Sequence, residues 1–265
     1  MAGEQAYMAD NQAVLLSVIV PSLTGEIPRS IPDDGSVEVV AVKGVSPVSA
    51  ARNEGLARVA GDYVAWADSD DEVSENWLPN VLQGLDGRPD VLSFNARVEW
   101  VDGKRPSYRV GGPAYAADVM AERTNGQLWN KVIRRELFNG LSFHGVAHED
   151  YRLLCELLPR AKTFRHIDKD LYVYRRSVNG LSQHTDVDSA RNAILGLIEF
   201  LDASSDVWKP EITKGVAQRV ADFCRNAESS PDLRRFIRSA LPLVLLDRSL
   251  SARTKAKCLL AGIGI

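Results

Sequence analysis

The sequence predicts an α/β protein: a mixed sheet flanked by helices, followed by a helical C-terminal part. Short apolar, β-branched runs alternate with helical segments over the first two thirds of the chain. Acidic residues directly follow one of these runs, at Asp68–Asp71, as expected for a site at the carboxyl edge of a sheet. After Thr185 only helical patterns remain.

Each strand is predicted from a short run rich in apolar, β-branched or aromatic residues. The predicted strands are Ser17–Val20, Val37–Val42, Tyr63–Ala67, Val91–Val98, Trp129–Ile133 and Leu171–Arg175. The segment between the first two, Thr24–Ser36, is rich in Gly, Pro, Asp and Ser and is therefore predicted to be a loop.

The helix predicted best lies at Pro47–Ala60, where Ser46 suits the cap, Pro47 the first position and Gly61 the exit. Further helices are predicted at Pro79–Leu85, Arg134–Asn139, Glu149–Pro159, Ser189–Leu201, Pro210–Ala227, Pro231–Leu246 and Ala252–Leu260. We therefore divide the chain into a flexible N-terminus (1–13), an α/β domain (14–185) and a separate helical region (186–265).

Composition excludes several classes of protein. The 265 residues are 45% hydrophobic and 25% charged, with a net charge of −3, so no nucleic-acid partner is expected. Three scattered cysteines, Cys155, Cys224 and Cys258, favour neither a disulfide framework nor a zinc site. Neither a signal peptide nor a spanning helix is indicated, and we expect a cytoplasmic protein, soluble or at most peripheral on a membrane.

The acidic run Asp68-Ser69-Asp70-Asp71 is the first candidate for chemistry. Carboxylates this close repel each other unless a cation or hydrogen-bond donors neutralise them, and hard oxygen ligands suit Mg²⁺ or Mn²⁺. The alternative is a solvated turn with Ser74 as a helix cap, because Asp and Ser are also common in turns.

The stretch Ser49–Asp71, SAARNEGLARVAGDYVAWADSDD, resembles the donor-site sequence of family-2-type glycosyltransferases of the GT-A fold. Four further segments follow the order seen in that family: SVIVPS from Ser17, WNKVIRREL from Trp129, HED from His148 and LYVYRRSVNGLSQ from Leu171. The resemblance spans about Val14–Thr185 and makes 14–185 a GT-A-like, Rossmann-type catalytic domain; the helical C-terminus is not covered.

The resemblance implies a metal-dependent, inverting transfer of a sugar from a nucleotide-sugar donor to a hydroxyl of a glycan, lipid-linked or other cell-surface acceptor. It makes Asp150 the catalytic base, and Asp70 and Asp68, with His184 as a further candidate, the ligands of Mn²⁺ or Mg²⁺. The residues it places at the donor are Pro21, Arg52, Asn53, Asp68, Ser69, Asp70 and Arg176.

Simpler interpretations remain open for several of these residues. Glu149 and Asp150 also suit the first turn of a helix through its dipole. Arg52 could lie along the helix surface with its charge in water, and a single loop histidine such as His184 is usually solvated. Trp129 and Trp100 are expected in the core rather than as platforms for sugars.

Two departures from the family's sequence pattern affect recognition of the nucleotide base of the donor. Pro21 is followed by Ser22-Leu23 rather than by Tyr-Asn, and the second strand continues into Lys43-Gly44 instead of an acidic turn. The Asp-Asp-Gly-Ser string at Asp33–Ser36 precedes that strand and receives no base-binding role. A GT-A-fold scaffold protein with a degraded pocket is therefore the alternative, ahead of a nucleotidyltransferase, which would need a Gly-rich, basic loop.

The C-terminal stretch 231–265 carries seven basic residues against two acidic ones. Within it, Leu233–Leu246 interleaves arginines with apolar residues, which suits either contact with anionic lipid or packing on the catalytic domain or a second subunit. Peripheral membrane contact and homo-oligomerisation are both expectations of this pattern.

Overall fold

The structure is a computed structural model that describes residues 15–32, 35, 37–145, 148–177 and 187–226, with isolated helical positions between 238 and 258. Its eight strands are β1 (Leu16–Ser22), β2 (Glu38–Lys43), β3 (Tyr63–Trp66), β4 (Glu72–Val73), β5 (Val91–Trp100), β6 (Tyr108–Val110), β7 (Lys131–Arg134) and β8 (Phe164–Arg176). The helices are α1 (Val48–Arg58), α2 (Trp77–Gly84), α3 (Ala116–Met120), α4 (Glu149–Leu157), α5 (Val187–Ala203) and α6 (Lys209–Asn226), with 3₁₀ turns at Arg135–Phe138 and Leu158–Arg160.

The strands form one mixed sheet in the order β2-β1-β3-β7-β5-β8-β4, with β6 paired to β5 outside this path. β2, β1 and β3 run parallel, β7 is antiparallel to both of its neighbours, and β5 and β8 are parallel to each other. The carboxyl ends of β1, β2 and β3 therefore meet at one edge, where the acidic run begins.

Both faces of the sheet are buried, and the strands alternate between them because successive side chains point to opposite sides. In β3, Val64 and Trp66 face the core under α1, α4 and α6, whereas Tyr63 and Ala65 face the core under α2. The sheet is thus the middle layer of three, which is the α/β class that the sequence predicts.

Several boundaries differ from the prediction. Ser46 does not cap α1: Pro47 holds the N-cap position, without a side-chain cap bond, and the helix ends at Arg58 rather than next to Gly61. The helix predicted at Arg134–Asn139 is a 3₁₀ turn, because four residues form only one turn there. The short elements β4, β6 and α3 were not predicted.

The helical segment after residue 186 packs on the α/β part. Residues of α6 such as Val216 and Val220 lie in the same hydrophobic core as Met120 of α3 and Leu154 of α4. No helix in the described part of the chain is long and apolar enough to cross a membrane. Whether 186–265 forms a separate unit remains a prediction, since most of 227–265 lies outside the described residues.

Candidate active site

The acidic run forms a tight turn directly after β3. Asp71 donates its backbone N–H to the carbonyl of Asp68 (3.1 Å), and Ala67 is bonded to Ile19 of the neighbouring β1 (3.1 Å). Asp70 is exposed and Asp71 is buried, while 31% of the Asp68 side chain is accessible. The three carboxylates are therefore not equivalent: Asp70 is exposed, Asp68 is partly accessible and Asp71 is buried.

Tyr172 of β8 holds this turn in place. Its hydroxyl accepts the backbone N–H of Asp68 (3.0 Å) and donates to Oδ2 of Asp71 (2.7 Å). Oδ1 of Asp71 accepts the backbone N–H of Arg175 (2.7 Å). Burial, with the nearby charge of Asp68, raises the pKa of Asp71 to about 8. Asp71 thus anchors the turn to β8, a role that the sequence did not predict.

Arg52 of α1 joins the acidic turn to the HED segment. Its buried guanidinium forms a close ion pair with Glu149 through Nη1 and lies 3.6 Å from Oδ1 of Asp68 through Nη2. It also lies 5.8 Å from the centre of the Phe143 ring. The structure therefore contradicts the interpretation of Arg52 as a solvated surface arginine, because the side chain is buried between two carboxylates.

Glu149 and Asp150 begin α4 and differ in environment. Glu149 is buried against Arg52; burial and the charge of Asp150 raise its pKa, and Arg52 opposes that increase. Asp150 is half-buried and accepts the backbone N–H of Tyr151 (2.7 Å). Of the two, Asp150 has the carboxylate that is not committed to an arginine ion pair in the described part of the chain.

Three buried cations lie within electrostatic range of Asp150: Arg52, Lys131 and Arg219. Lys131, in β7, donates to the carbonyls of Asn125 (2.7 Å) and Gln127 (2.6 Å) and to Oδ1 of Asn130 (2.7 Å). Burial lowers the pKa of Lys131 to about 7. Neither Lys131 nor Arg219 was predicted as a site residue, although Lys131 lies in the WNKVIRREL segment.

The remaining predicted site residues occupy different positions. Asn53 bonds the backbone of Phe143 through both its amide oxygen (2.7 Å) and nitrogen (2.9 Å), which ties α1 to the loop before α4. Pro21 lies near the end of β1, opposite Val42 of β2, and Ser69 lies in the acidic turn. His184 lies outside the described residues.

Arg176 ends β8, next to the Arg175 backbone that bonds Asp71. Its Nη1 donates to the hydroxyl of Tyr108 (3.1 Å), and its guanidinium lies 4.9 Å from the centre of the Trp100 ring. Trp129 is buried and stacks on Tyr172 (5.0 Å between ring centres) and Tyr174 (5.7 Å), as expected for a core residue.

A divalent cation would find two accessible carboxylates here. Hard oxygen donors of Asp68 and Asp70 fit Mg²⁺ or Mn²⁺, which commonly complete their shell with water and substrate phosphate oxygens. Among the residues that the structure describes, no group of three or more His, Cys, Asp or Glu side chains is arranged to hold a metal ion. Asp68 and Asp70 would therefore supply part of the ligand shell among the described residues.

Comparison with solved structures defines the class of fold. S. aureus TarS (residues 1–349), solved in complex with UDP-GlcNAc, superposes with a TM-score of 0.62 at 15% sequence identity, covering 94% of this chain and 88% of that one. The same protein in complex with UDP gives a TM-score of 0.55. The mixed sheet flanked by helices is thus the GT-A glycosyltransferase fold.

Comparison of sequences then shows which family the chain is similar to. Residues 24–144 match the model of Glycosyl transferase family 2. It is 25% identical over 213 residues to "Uncharacterized glycosyltransferase YibD" of Escherichia coli (strain K12), covering 70% of this chain and 61% of that protein.

A second relative is "Glycosyltransferase GlyG" of Streptococcus pneumoniae serotype 4 (strain ATCC BAA-334 / TIGR4). It is 28% identical over 173 residues, which cover 58% of this chain and 57% of that protein. The matched regions thus span about three fifths of the length of these curated relatives.

Proposed function

We propose that the protein is a metal-dependent, inverting glycosyltransferase that moves a sugar from a nucleotide-sugar donor to a hydroxyl of a glycan, glycolipid or other cell-surface acceptor. The observation that carries this proposal is the position of Arg52, buried between Asp68 of the acidic turn and Glu149, the neighbour of Asp150. Arg52 therefore links the acidic turn, which is the candidate binding site of the nucleotide sugar, to the segment that carries the candidate catalytic base.

Asp150 serves as the general base in this proposal. It takes the proton of the acceptor hydroxyl while that oxygen forms a bond to the anomeric carbon and the bond to the diphosphate oxygen breaks. Glu149 is the poorer candidate because it is buried against Arg52. One base and no protein nucleophile give a single displacement, which inverts the anomeric centre.

Asp68 and Asp70 would hold Mn²⁺ or Mg²⁺, which would stabilise the negative charge of the leaving nucleoside diphosphate when bound. The fit rests on their exposure at the turn, whereas Asp71 is buried and bonded to Tyr172. Pro21, Ser69 and Arg176 are proposed to contact the donor. Lys43, at the exposed end of β2, occupies the place of the usual acidic turn.

The test is nucleotide release from UDP-, GDP-, TDP- and CMP-sugars, with an acceptor panel, in Mn²⁺, in Mg²⁺ and in chelator. We expect Asp70→Ala to abolish metal-dependent turnover, and Asp150→Asn to lower kcat by about 10³-fold while donor binding persists. Glu75→Ala, an exposed acid just beyond the turn, is the matched control. Full activity of Asp70→Ala and Asp150→Asn would contradict the proposal.

The alternative is a scaffold protein with a degraded donor pocket. The missing turn for the nucleotide base after β2 favours it, since β2 ends at Lys43 and Gly44 follows in place of acidic residues. Calorimetry that detects neither nucleotide nor metal binding in the wild-type chain would favour this alternative, and tight donor binding with turnover would exclude it.

A cytoplasmic location with peripheral contact at the inner face of the membrane is also proposed. The basic stretch 231–265 lies mostly outside the described residues, but Leu246 within it is 81% exposed. We expect the full chain to float with anionic liposomes and a chain ending at residue 230 to remain behind. Identical flotation of the two chains would contradict the proposed membrane contact. The proposed homo-oligomer is a separate question, which sedimentation of the full chain would test.

A further inference from the structure

Helix α6 approaches Met120 of α3 and Tyr151 of α4 more closely than a helix with a side chain at position 215 could. At Gly215, a Cβ atom would overlap the carbonyl oxygen of Met120 and the hydroxyl of Tyr151. Tyr151, the residue after Asp150, donates that hydroxyl to the same Met120 carbonyl (2.5 Å). Gly215 therefore lets α6 sit directly on the junction between α3 and α4.

Arg219 lies one turn after Gly215 and shares its face of α6. Its Nη1 contacts Nδ1 of His148 (2.6 Å), its Nη2 contacts Glu122 (2.6 Å), and its guanidinium carbon lies 4.2 Å from the centre of the Tyr151 ring. Only 13% of the side chain is exposed. One buried guanidinium thus joins Glu122, just after α3, to His148 and Tyr151 at the start of α4.

The contact with His148 fixes the state of that imidazole. Arginine only donates hydrogen bonds, so Nδ1 of His148 must accept, and the ring must be neutral with its proton on Nε2. Burial, together with the charge of Arg219, lowers the pKa of His148 to about 4, in agreement with a neutral ring.

Both residues held by Arg219 have strained backbones. His148 has φ of 58° and Glu122 has φ of 55°, in the left-handed region that side chains rarely adopt. Such conformations persist where surrounding contacts hold them, often at functional sites. His148 directly precedes Glu149 and Asp150, and α4 has no side-chain cap of its own.

We propose that Arg219 is a positioning residue for the transfer reaction: by holding His148 and Glu122 it fixes the start of α4, and with it the carboxylate of Asp150. The inference rests on the proposed function of Asp150 as base. It makes α6, through Arg219, a support of the candidate active site.

The test compares Arg219→Met and Arg219→Lys with Arg123→Met in the full chain. Arg123 is the matched control because it also joins α3 to α6, through Asp118 and Glu211, but is about half exposed. Steady-state kinetics with the donor found in the panel give kcat and KM. Histidine-selective ¹⁵N NMR reports the tautomer and pKa of His148 without any substrate.

We expect Arg219→Met to lower kcat by about 10²-fold, with the donor KM within about threefold of wild type, because a misplaced base slows chemistry rather than donor binding. Arg219→Lys should recover part of kcat, and Arg123→Met should behave as wild type. In the NMR experiment, Arg219→Met should raise the pKa of His148. The neutral imidazole should also no longer be restricted to the tautomer with its proton on Nε2.

A kcat for Arg219→Met within about threefold of Arg123→Met would overturn the inference, and so would an unchanged His148 tautomer and pKa, with or without turnover. If the wild-type chain turns over no donor, the proposed function fails, and the NMR result still decides whether Arg219 holds the start of α4. Rates normalised to the folded fraction separate positioning from loss of fold.

Discussion

At the scale of single residues, the site depends on side chains that serve two segments at once. Arg52 lies between Asp68 and Glu149, which are 81 positions apart in the chain. Tyr172 bonds both Asp68 and Asp71 across a similar separation. In each case one side chain contacts two partners that lie far from it in the sequence.

Replacement of Arg52 by Lys should reduce nucleotide release by about 10²-fold, because an ammonium cannot replace the planar fork that reaches both carboxylates. Arg58→Lys is the control, since Arg58 lies on the same helix in an exposed pair with Glu54. Release rates measured at saturating metal provide the comparison. Equal rates for the two variants would show that the Arg52 bridge is dispensable.

The acidic run was predictable as a candidate site from its composition and its place after a strand. The different environments of its three aspartates could not be predicted. Asp71 is bonded to Tyr172 and Arg175, which lie about a hundred positions away in the sequence. The role of Asn53 in holding Phe143 was hidden for the same reason, and its predicted contact with the donor stays a prediction.

At the scale of elements, the strands of four or more residues were predicted, although β8 only over Leu171–Arg175, and the shortest elements were missed. β4 has two residues, β6 has three and α3 has five, which is too few for a period to appear. The predicted capping of α1 by Ser46 was wrong because Pro47 already holds the N-cap position. The local sequence patterns predicted whether a segment is a helix or a strand more accurately than they predicted where it begins and ends.

The packing of α6 gives a test of element contacts. Gly215→Ala should lower the free energy of unfolding by about 1–3 kcal/mol, because the added methyl group overlaps Met120 and Tyr151. Gly196→Ala in α5 is the control: a Cβ there meets nothing within 4 Å, so higher helix propensity should leave stability equal or raise it by up to about 1 kcal/mol. Urea denaturation measures both.

Equal destabilisation by the two glycine substitutions would contradict the close approach of α6 to α3. A selective loss at Gly215 would agree with it. The sequence could not indicate this contact in advance, because a single glycine within a helical pattern has several possible causes.

At the scale of the whole molecule, stability should depend on pH through Lys131. Its pKa of about 7 in the folded state lies below the ordinary value of 10.5, so the unfolded chain binds more protons between these pH values. Lys131 should therefore contribute a rise in the free energy of unfolding above about pH 7, by at most about 1.4 kcal/mol per unit. Asp71, whose pKa is raised to about 8, contributes a fall with pH up to that value, so the rise is expected to be clearest above about pH 8. Below pH 7 Lys131 is charged in the folded state, so the full free-energy cost of burying its ammonium group lowers the stability.

Lys131→Met should remove this dependence, whereas Lys162→Met, at an exposed position, should keep it. Chemical denaturation at several pH values from 6.5 to 9.5 gives the comparison. A slope that Lys131→Met leaves unchanged would show that another group, or a charged and well-bonded Lys131, determines the behaviour.

The whole-molecule arrangement was predicted in class but not in its tertiary contacts. Alternating strands and helices predicted the layered α/β fold, and the resemblance supplied the GT-A type that the superposition confirms. The helices after residue 186 were expected to be an appendage, and the contact of Arg219 with His148 was not foreseen. An amphipathic pattern shows that a face is buried without showing what covers it.

The stack of Trp129 on Tyr172 and Tyr174 gives the molecule an optical property. The indole lies 5.0 Å from a phenol ring whose hydroxyl bonds the turn that carries Asp68 and Asp70. A ligand that shifts this turn would also shift the phenol and so change the surroundings of the indole. We therefore expect binding at this turn to change the emission of Trp129, one of five tryptophans in the chain, and Trp129→Phe to remove that change.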